Sequence, residues 1–95
     1  MLFKTKDINF TNVNGDALII DNINKTLADI LFNNAQSVEV HEASISLNKE
    51  GEAEIKESAK AEIERIFENA PLYMFVKKPL LEYLKKLQND GVILP

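Results

Sequence analysis

The chain contains no cysteine, which excludes a disulfide framework, a zinc–thiolate site and a cysteine nucleophile, and leaves its redox compartment unmarked. It has one histidine, His41, flanked by Glu39 and Glu42. With no second histidine or cysteine to complete a ligand set, a packed or partly exposed side chain is expected there rather than a metal ligand or general base. Three glycines, scattered singly, make neither a phosphate loop nor a dinucleotide turn, and Ser44, Ser46 and Ser58 have no G-x-S-x-G context. Apolar runs stop far short of the ~20 residues of a membrane span. The opening MLFKTKDINF turns charged at Lys4, unlike the apolar core of a signal peptide. A cytoplasmic protein without membrane contact is therefore expected. Basic residues are also in deficit, 11 against 15 acids for a net charge of −4, which works against nucleic acid or an anionic membrane as partner.

What the chain does have is enough apolar material for one small domain. Its 95 residues are 45% hydrophobic with mixed charge, and such a domain buries roughly 60–65% of its unfolded surface and folds unaided. The organising stretch is Ser58 to Ala70, SAKAEIERIFENA. Ala59, Ile63, Ile66, Phe67 and Ala70 share one apolar stripe at about 100° per residue. Glu64, Arg65 and Glu68 face away, and Lys60–Glu64, Glu62–Arg65 and Arg65–Glu68 have the spacing of surface charge pairs.

Upstream, INFTNVNGDALII over residues 8–20 places Asn14-Gly15-Asp16 between two strand-like runs. Asn-Gly tolerates positive φ at both positions, so a β-hairpin is expected. The turn's Asn12, Asn14 and Asp16 lack the carboxylates and distant bidentate glutamate of a calcium loop. Residues 21–24 read as a connector. Thr26 with Asp29 resembles a capping box for a helix from Thr26, with Leu27, Ile30, Leu31 and Ala35 apolar, stopping near Asn33-Asn34.

Ser37–Leu47 fits two periods. As a strand it alternates His41, Ala43, Ile45 and Leu47; as a helix it gathers Val40, Ala43 and Leu47 against Val38 and Ile45. Gly51 suits either a helix end or a turn. A short strand over Glu52–Ile55 follows in both cases, and Glu57 or Ser58 is expected to cap the next helix. Beyond it, Pro71 suits a first turn. Leu72, Phe75, Val76, Leu80, Tyr83 and Leu87 keep helical spacing through Pro79, which must kink or split that helix because its ring meets the Phe75 carbonyl and it donates no hydrogen bond. Asn89-Asp90-Gly91 should end it, leaving Val92–Pro95 as a tail.

Glutamates at 50, 52, 54, 57, 62, 64 and 68 could supply paired carboxylates, but most fall on the solvated face of the central helix. No catalytic residue, cofactor or metal site is therefore assigned. Charge is nonetheless uneven. Residues 50–70 carry seven acids against three bases, whereas residues 71–95 carry four lysines against Glu82 and Asp90. On a continuous helix Met74 and Leu81 lie opposite the core stripe beside Lys77, Lys78 and Lys85, with Leu84 at the border. These six residues form a candidate surface for a protein partner or for self-association. An alternative reading, a nucleic-acid-associated regulator using Lys77, Lys78, Lys85 and Lys86, lacks arginine and any stacking platform beyond Tyr73 and Tyr83.

TLADILFNNA, then HEASISLNKEGEAEI, then AEIERIFENAPLYMFVKKPLLEYL, from Thr26 to Leu84, resembles small phage and prophage proteins of unknown function. These read approximately as T-L-x-x-x-L-x-N, a helix ending before K-x-G-E-x-E-[LI], and a terminal helical pair. The serines here and the lack of an aromatic before Lys49 depart from that pattern. The resemblance implies a helix over residues 37–47, a bacterial host, and a phage accessory or assembly role without catalytic residues. The resulting expectation is one α+β domain: a hairpin and connector over residues 1–25, a mainly helical part over 26–88 and a tail over 89–95. The hairpin, which a short third strand could join, would pack on three to four helices.

Overall fold

The computed structural model describes residues 1–87; the expected helix end at 89–91 and the tail lie outside them. The chain opens with strand β1 (Leu2–Lys4), followed by a single 3-10 turn over Thr5–Asp7. Helix α1 (Ile23–Asn34) and helix α2 (Val38–Glu50) come next, then strand β2 (Glu52–Glu54), helix α3 (Glu57–Glu68) and helix α4 (Met74–Lys86). This is an α+β fold with one two-stranded antiparallel sheet and four helices among the described residues.

The sheet pairs the start of the chain with its middle, in the register Leu2↔Glu54, Phe3↔Ala53 and Lys4↔Glu52. Ile55 N–H donates to the Met1 carbonyl at 2.8 Å and Thr5 N–H to the Gly51 carbonyl at 3.1 Å. Phe3, Thr5, Ala53 and Ile55 consequently point into the core. The strand expected at 52–55 is thus real, but its partner is β1 rather than the 8–20 hairpin. At 8–20 the chain turns, but through a three-residue loop, Val13 to Gly15, rather than the two-residue Asn14-Gly15 turn expected, since only Gly15 of the pair has positive φ and Gly15 N–H donates to Asn12 O at 3.0 Å. Asn12 N–H reaches Asp16 O at 2.9 Å, Asn12 Oδ1 accepts from Asn14 and Asp16 N–H, and Gly15 has φ +86°. Pairing then ends after one bridge, Thr11↔Ala17, and one further bond, Leu18 N–H to Phe10 O. An isolated two-stranded ladder is marginal in water. Here burial of Ile8 and Phe10 in the core fixes the loop instead.

Helix α1 starts three residues before the expected Thr26 because Asn22, at φ 59°, turns the chain in the left-handed region that asparagine tolerates. This lets Ile23 pack on the core. Asp29 pairs with Lys25 Nζ at 3.1 Å instead of closing a capping box on Thr26. Of residues 37–47, all but Ser37, the extended cap, are helical. Ser37 Oγ caps the Val40 N–H at 3.2 Å, and the first turn is further capped from α3, where the Glu62 carboxylate accepts the N–H groups of Gln36 and Ser37 at 2.9 and 3.3 Å. Val40, Ala43 and Leu47 face the core, and Val38 and Ile45 face out. The serine that blurs the pattern, Ser44, is buried and donates to the His41 carbonyl one turn back at 2.6 Å. Gly51, at φ +75°, closes the helix and sends the chain into β2.

Helix α3 buries Ala59, Ile63, Ile66 and Phe67, and Ala70 follows just beyond its end. It begins at Glu57 behind Lys56 rather than behind Glu57 or Ser58. Its surface residues reach across to neighbouring segments. Lys60 Nζ donates to Leu87 O at 2.8 Å, and Arg65 Nη2 to Gln36 Oε1 at 3.5 Å. Pro71 lies in the connector, not in the first turn of α4, whose cap is Tyr73. Pro79 sits within one continuous helix that presents Val76, Leu80 and Leu84 to the core. The Phe3 and Tyr83 rings meet edge-on, centroids 5.4 Å apart, and tie α4 to the sheet.

Candidate interaction surface

Because Ile8 and Phe10 both turn inward, the loop between them and Leu18 is held against the outer side of α4. The two segments enclose an open groove of about 770 Å³. Val13 and Leu18 line it from the loop; Met74, Phe75 and Pro79 line it from α4, with Lys78 and Glu82 as its charged groups. Three large exposed apolar side chains line it, Val13 at 100% exposure, Met74 at 65% and Phe75 at 49%, while Ile19, Phe32, Val38 and Ile45 are exposed outside its lining. Tyr73, itself 78% exposed, stacks on Phe75 with centroids 5.9 Å apart and planes 11° from parallel. An array of large exposed apolar side chains rimmed by charge is the composition of a protein-binding patch.

Of the six residues expected to form a partner surface, Met74 and Lys78 line this groove and Lys85 is exposed further along α4. Lys77 is half-buried, its Nζ donating to Glu68 O at 3.0 Å at the end of α3. Leu81 is half-buried against the core, and Leu84 is fully buried, so it belongs to the interior and not to any surface. Phe75, expected in the core, is instead half-exposed. The physical reason is the position of α3. It lies on the side of α4 marked by the Lys77–Glu68 bond, and Leu84 shares that side two helical turns further on, so the buried stripe turns toward α3. Val13 and Leu18 are not singled out by the sequence; the available signal is an apolar valine stranded inside a polar turn.

Tyr83 fixes the other side of α4. Its hydroxyl accepts the Lys4 N–H at 2.9 Å and lies 3.4 Å from Leu2 O. Burial pushes its pKa above the ordinary 10.0, aided by the negative charge of Asp7 and opposed by the Lys4 N–H. On α3, partial burial of Glu62 raises its carboxyl pKa, but the N–H groups of Gln36 and Ser37, the Ser37 hydroxyl and Arg65 outweigh it, and the net shift is downward. His41, exposed on α2, packs its ring on Phe32 with centroids 5.0 Å apart. Among the described residues no three histidine, aspartate or glutamate side chains converge as a metal site. Among the same residues no helix is long and apolar enough to cross a membrane.

No family model, no curated protein and no solved structure matches the chain.

Proposed function

We propose that this chain is a non-enzymatic accessory or assembly protein that acts by binding protein at the groove between the residue 9–18 loop and α4. The observation that supports it is the gathering of Val13, Met74 and Phe75, all about half or more exposed, along one cleft. The phage or prophage setting comes from the resemblance over residues 26–84. Photo-crosslinking from positions 13 and 75 in the producing cell tests the reading, with position 29 on the outer face of α1 as control. Discrete protein adducts from the groove positions and none from position 29 are expected; indistinguishable patterns from all three overturn it.

The alternative, a nucleic-acid-associated regulator, would use Lys78, Lys85 and Lys86, which face solvent, while Lys77 is engaged with Glu68. A salt titration against duplex and single-stranded oligonucleotides decides between the two. Sub-micromolar binding at physiological salt would replace the protein-binding reading.

A further inference from the structure

We propose that the occupant of the groove is a second copy of this chain, docked about a two-fold axis that sets the two α4 helices antiparallel. The inference rests on the protein-binding reading above and names its partner.

The charge pattern of the groove carries it. Lys78 and Glu82 are both exposed on the groove side of α4 and stand one helical turn apart. They form no ion pair or hydrogen bond among the described residues. Lysine preceding glutamate by four is the weaker orientation for a pair within one helix, so both charges remain available to a neighbour. A two-fold axis passing level with residue 80 places Lys78 of one copy opposite Glu82 of the other, and the reverse, so both pairs form at once. This is the self-complementarity that an isologous interface requires. The same axis sets Phe75 and Met74 level with Lys85 and Lys86 of the other copy, about 7–9 Å along the helix from the axis at 1.5 Å per residue. There the lysine stems can lie along the stacked Tyr73 and Phe75 rings, with the ammonium groups over an outer aromatic face. Val13, fully exposed at the tip of the loop, forms the outer wall of each cleft.

The pattern also disfavours other occupants. Within the groove Glu82 offsets Lys78, so a polyanion gains less there than from the exposed Lys85 and Lys86 alone, and a purely acidic or purely basic peptide would satisfy only half of the pair. A surface bearing the same alternation satisfies both.

The test is sedimentation velocity on the full chain over a concentration series, with charge-reversed variants. Both positions are exposed, so the substitutions leave the core intact, and circular dichroism checks this. The wild type should dimerise reversibly, and Lys78→Glu and Glu82→Lys should each weaken association at least about tenfold by setting like charges opposite each other. Mixing the two single variants should restore a heterodimer, because the first carries acids at both positions and the second carries bases at both, so every facing pair is again of opposite sign. A wild type that stays monomeric at every concentration overturns the proposal, as does dimerisation that neither single variant weakens. A monomer whose position 75 still crosslinks to a different protein sinks only the second copy and leaves the protein-binding reading standing. A monomer with no groove-specific adduct sinks both.

Discussion

Tyr83 Oη accepts the backbone N–H of Lys4 at 2.9 Å, joining residues 79 positions apart. The alternation of β1 explains why this bond matters. The backbone groups of Met1 and Thr5 are turned toward β2, so those of Leu2 and Lys4 face outward. The single hydroxyl of α4 meets both.

Removing that hydroxyl should therefore be felt in the sheet. Tyr83→Phe keeps the edge-on contact with Phe3 and should cost about 0.5–1.5 kcal/mol in urea unfolding; Tyr83→Ala also empties ring volume and should cost about 3–5 kcal/mol. A pH signature goes with it. The folded-state pKa of Tyr83 is raised, so its contribution is fully present below the unfolded value near 10 and is lost as pH rises through the folded value. Alkaline destabilisation should be shallower in Tyr83→Phe than in the wild type. Equal slopes would show that the hydroxyl titrates as freely in the fold as out of it.

Glu62 makes the opposite case. Its folded pKa is lowered, so its contribution is present above the ordinary carboxyl range and disappears as pH falls through the folded value. Glu62→Gln retains an acceptor for Gln36 and Ser37 N–H but not the charge at the start of α2. It should lose less than about 1 kcal/mol at neutral pH, as befits a partly exposed group. The gap between variant and wild type should close in acid. A gap that persists below the titration range would mean that shape, not charge, is what Glu62 contributes.

The apolar stripe of α3 sets the largest expected losses. Ile66→Ala or Phe67→Ala should cost about 2–5 kcal/mol, a large share of a small domain's stability, whereas Glu64→Ala should cost little. Leu84→Ala belongs with the first group because its side chain is fully buried. Chemical denaturation midpoints for the four variants separate these outcomes; a Leu84→Ala midpoint beside that of Glu64→Ala would return Leu84 to the surface.

Two glycines with positive φ should respond differently to alanine. At Gly15, φ +86° with open space around it, only the backbone term applies, about 1–2 kcal/mol. At Gly51, φ +75°, a Cβ would also lie 2.8 Å from Asn24 Nδ2. Asn24 accepts the Thr5 hydroxyl, which donates to the Gly51 carbonyl as well, so it cannot swing away without disturbing that cluster. Gly51→Ala should be the more damaging of the two in thermal unfolding. Adding Asn24→Ala should recover none of the backbone term and only the steric excess.

Helices α3 and α4 are legible in the sequence because their apolar residues repeat locally: the α3 stripe appears in the fold residue for residue, and α4 runs through Pro79 as its spacing requires. Periodicity cannot decide α2, since Ser44 occupies a core position with its hydroxyl satisfied by its own helix. The early start of α1 depends on the left-handed Asn22, which leaves no mark in an apolar pattern. The hairpin expectation over-extends for another reason: turn chemistry is local and legible at Gly15, whereas strand pairing is settled between residues far apart in the chain. The surface divides along the same line. Met74 and Lys78 follow from the helical wheel of α4, but Val13 and Leu18 join them only through the docking of a loop. Leu84 lies inward because α3 sets the rotation of the helix.

The pairing of β1 with β2 and the closure of its outer edge by Tyr83 also impose an order on biosynthesis. As the chain leaves the ribosome, residues 2–4 emerge well before their first ladder partner, residues 52–54, and their second partner arrives only with residue 83. Helices α1 and α2 can pair with each other before then, because the contacts between them are local. Strand β1 instead waits unpaired until β2 has been made, and its outer edge stays open until α4 follows, a window in which its unpaired backbone is available to a nascent-chain chaperone.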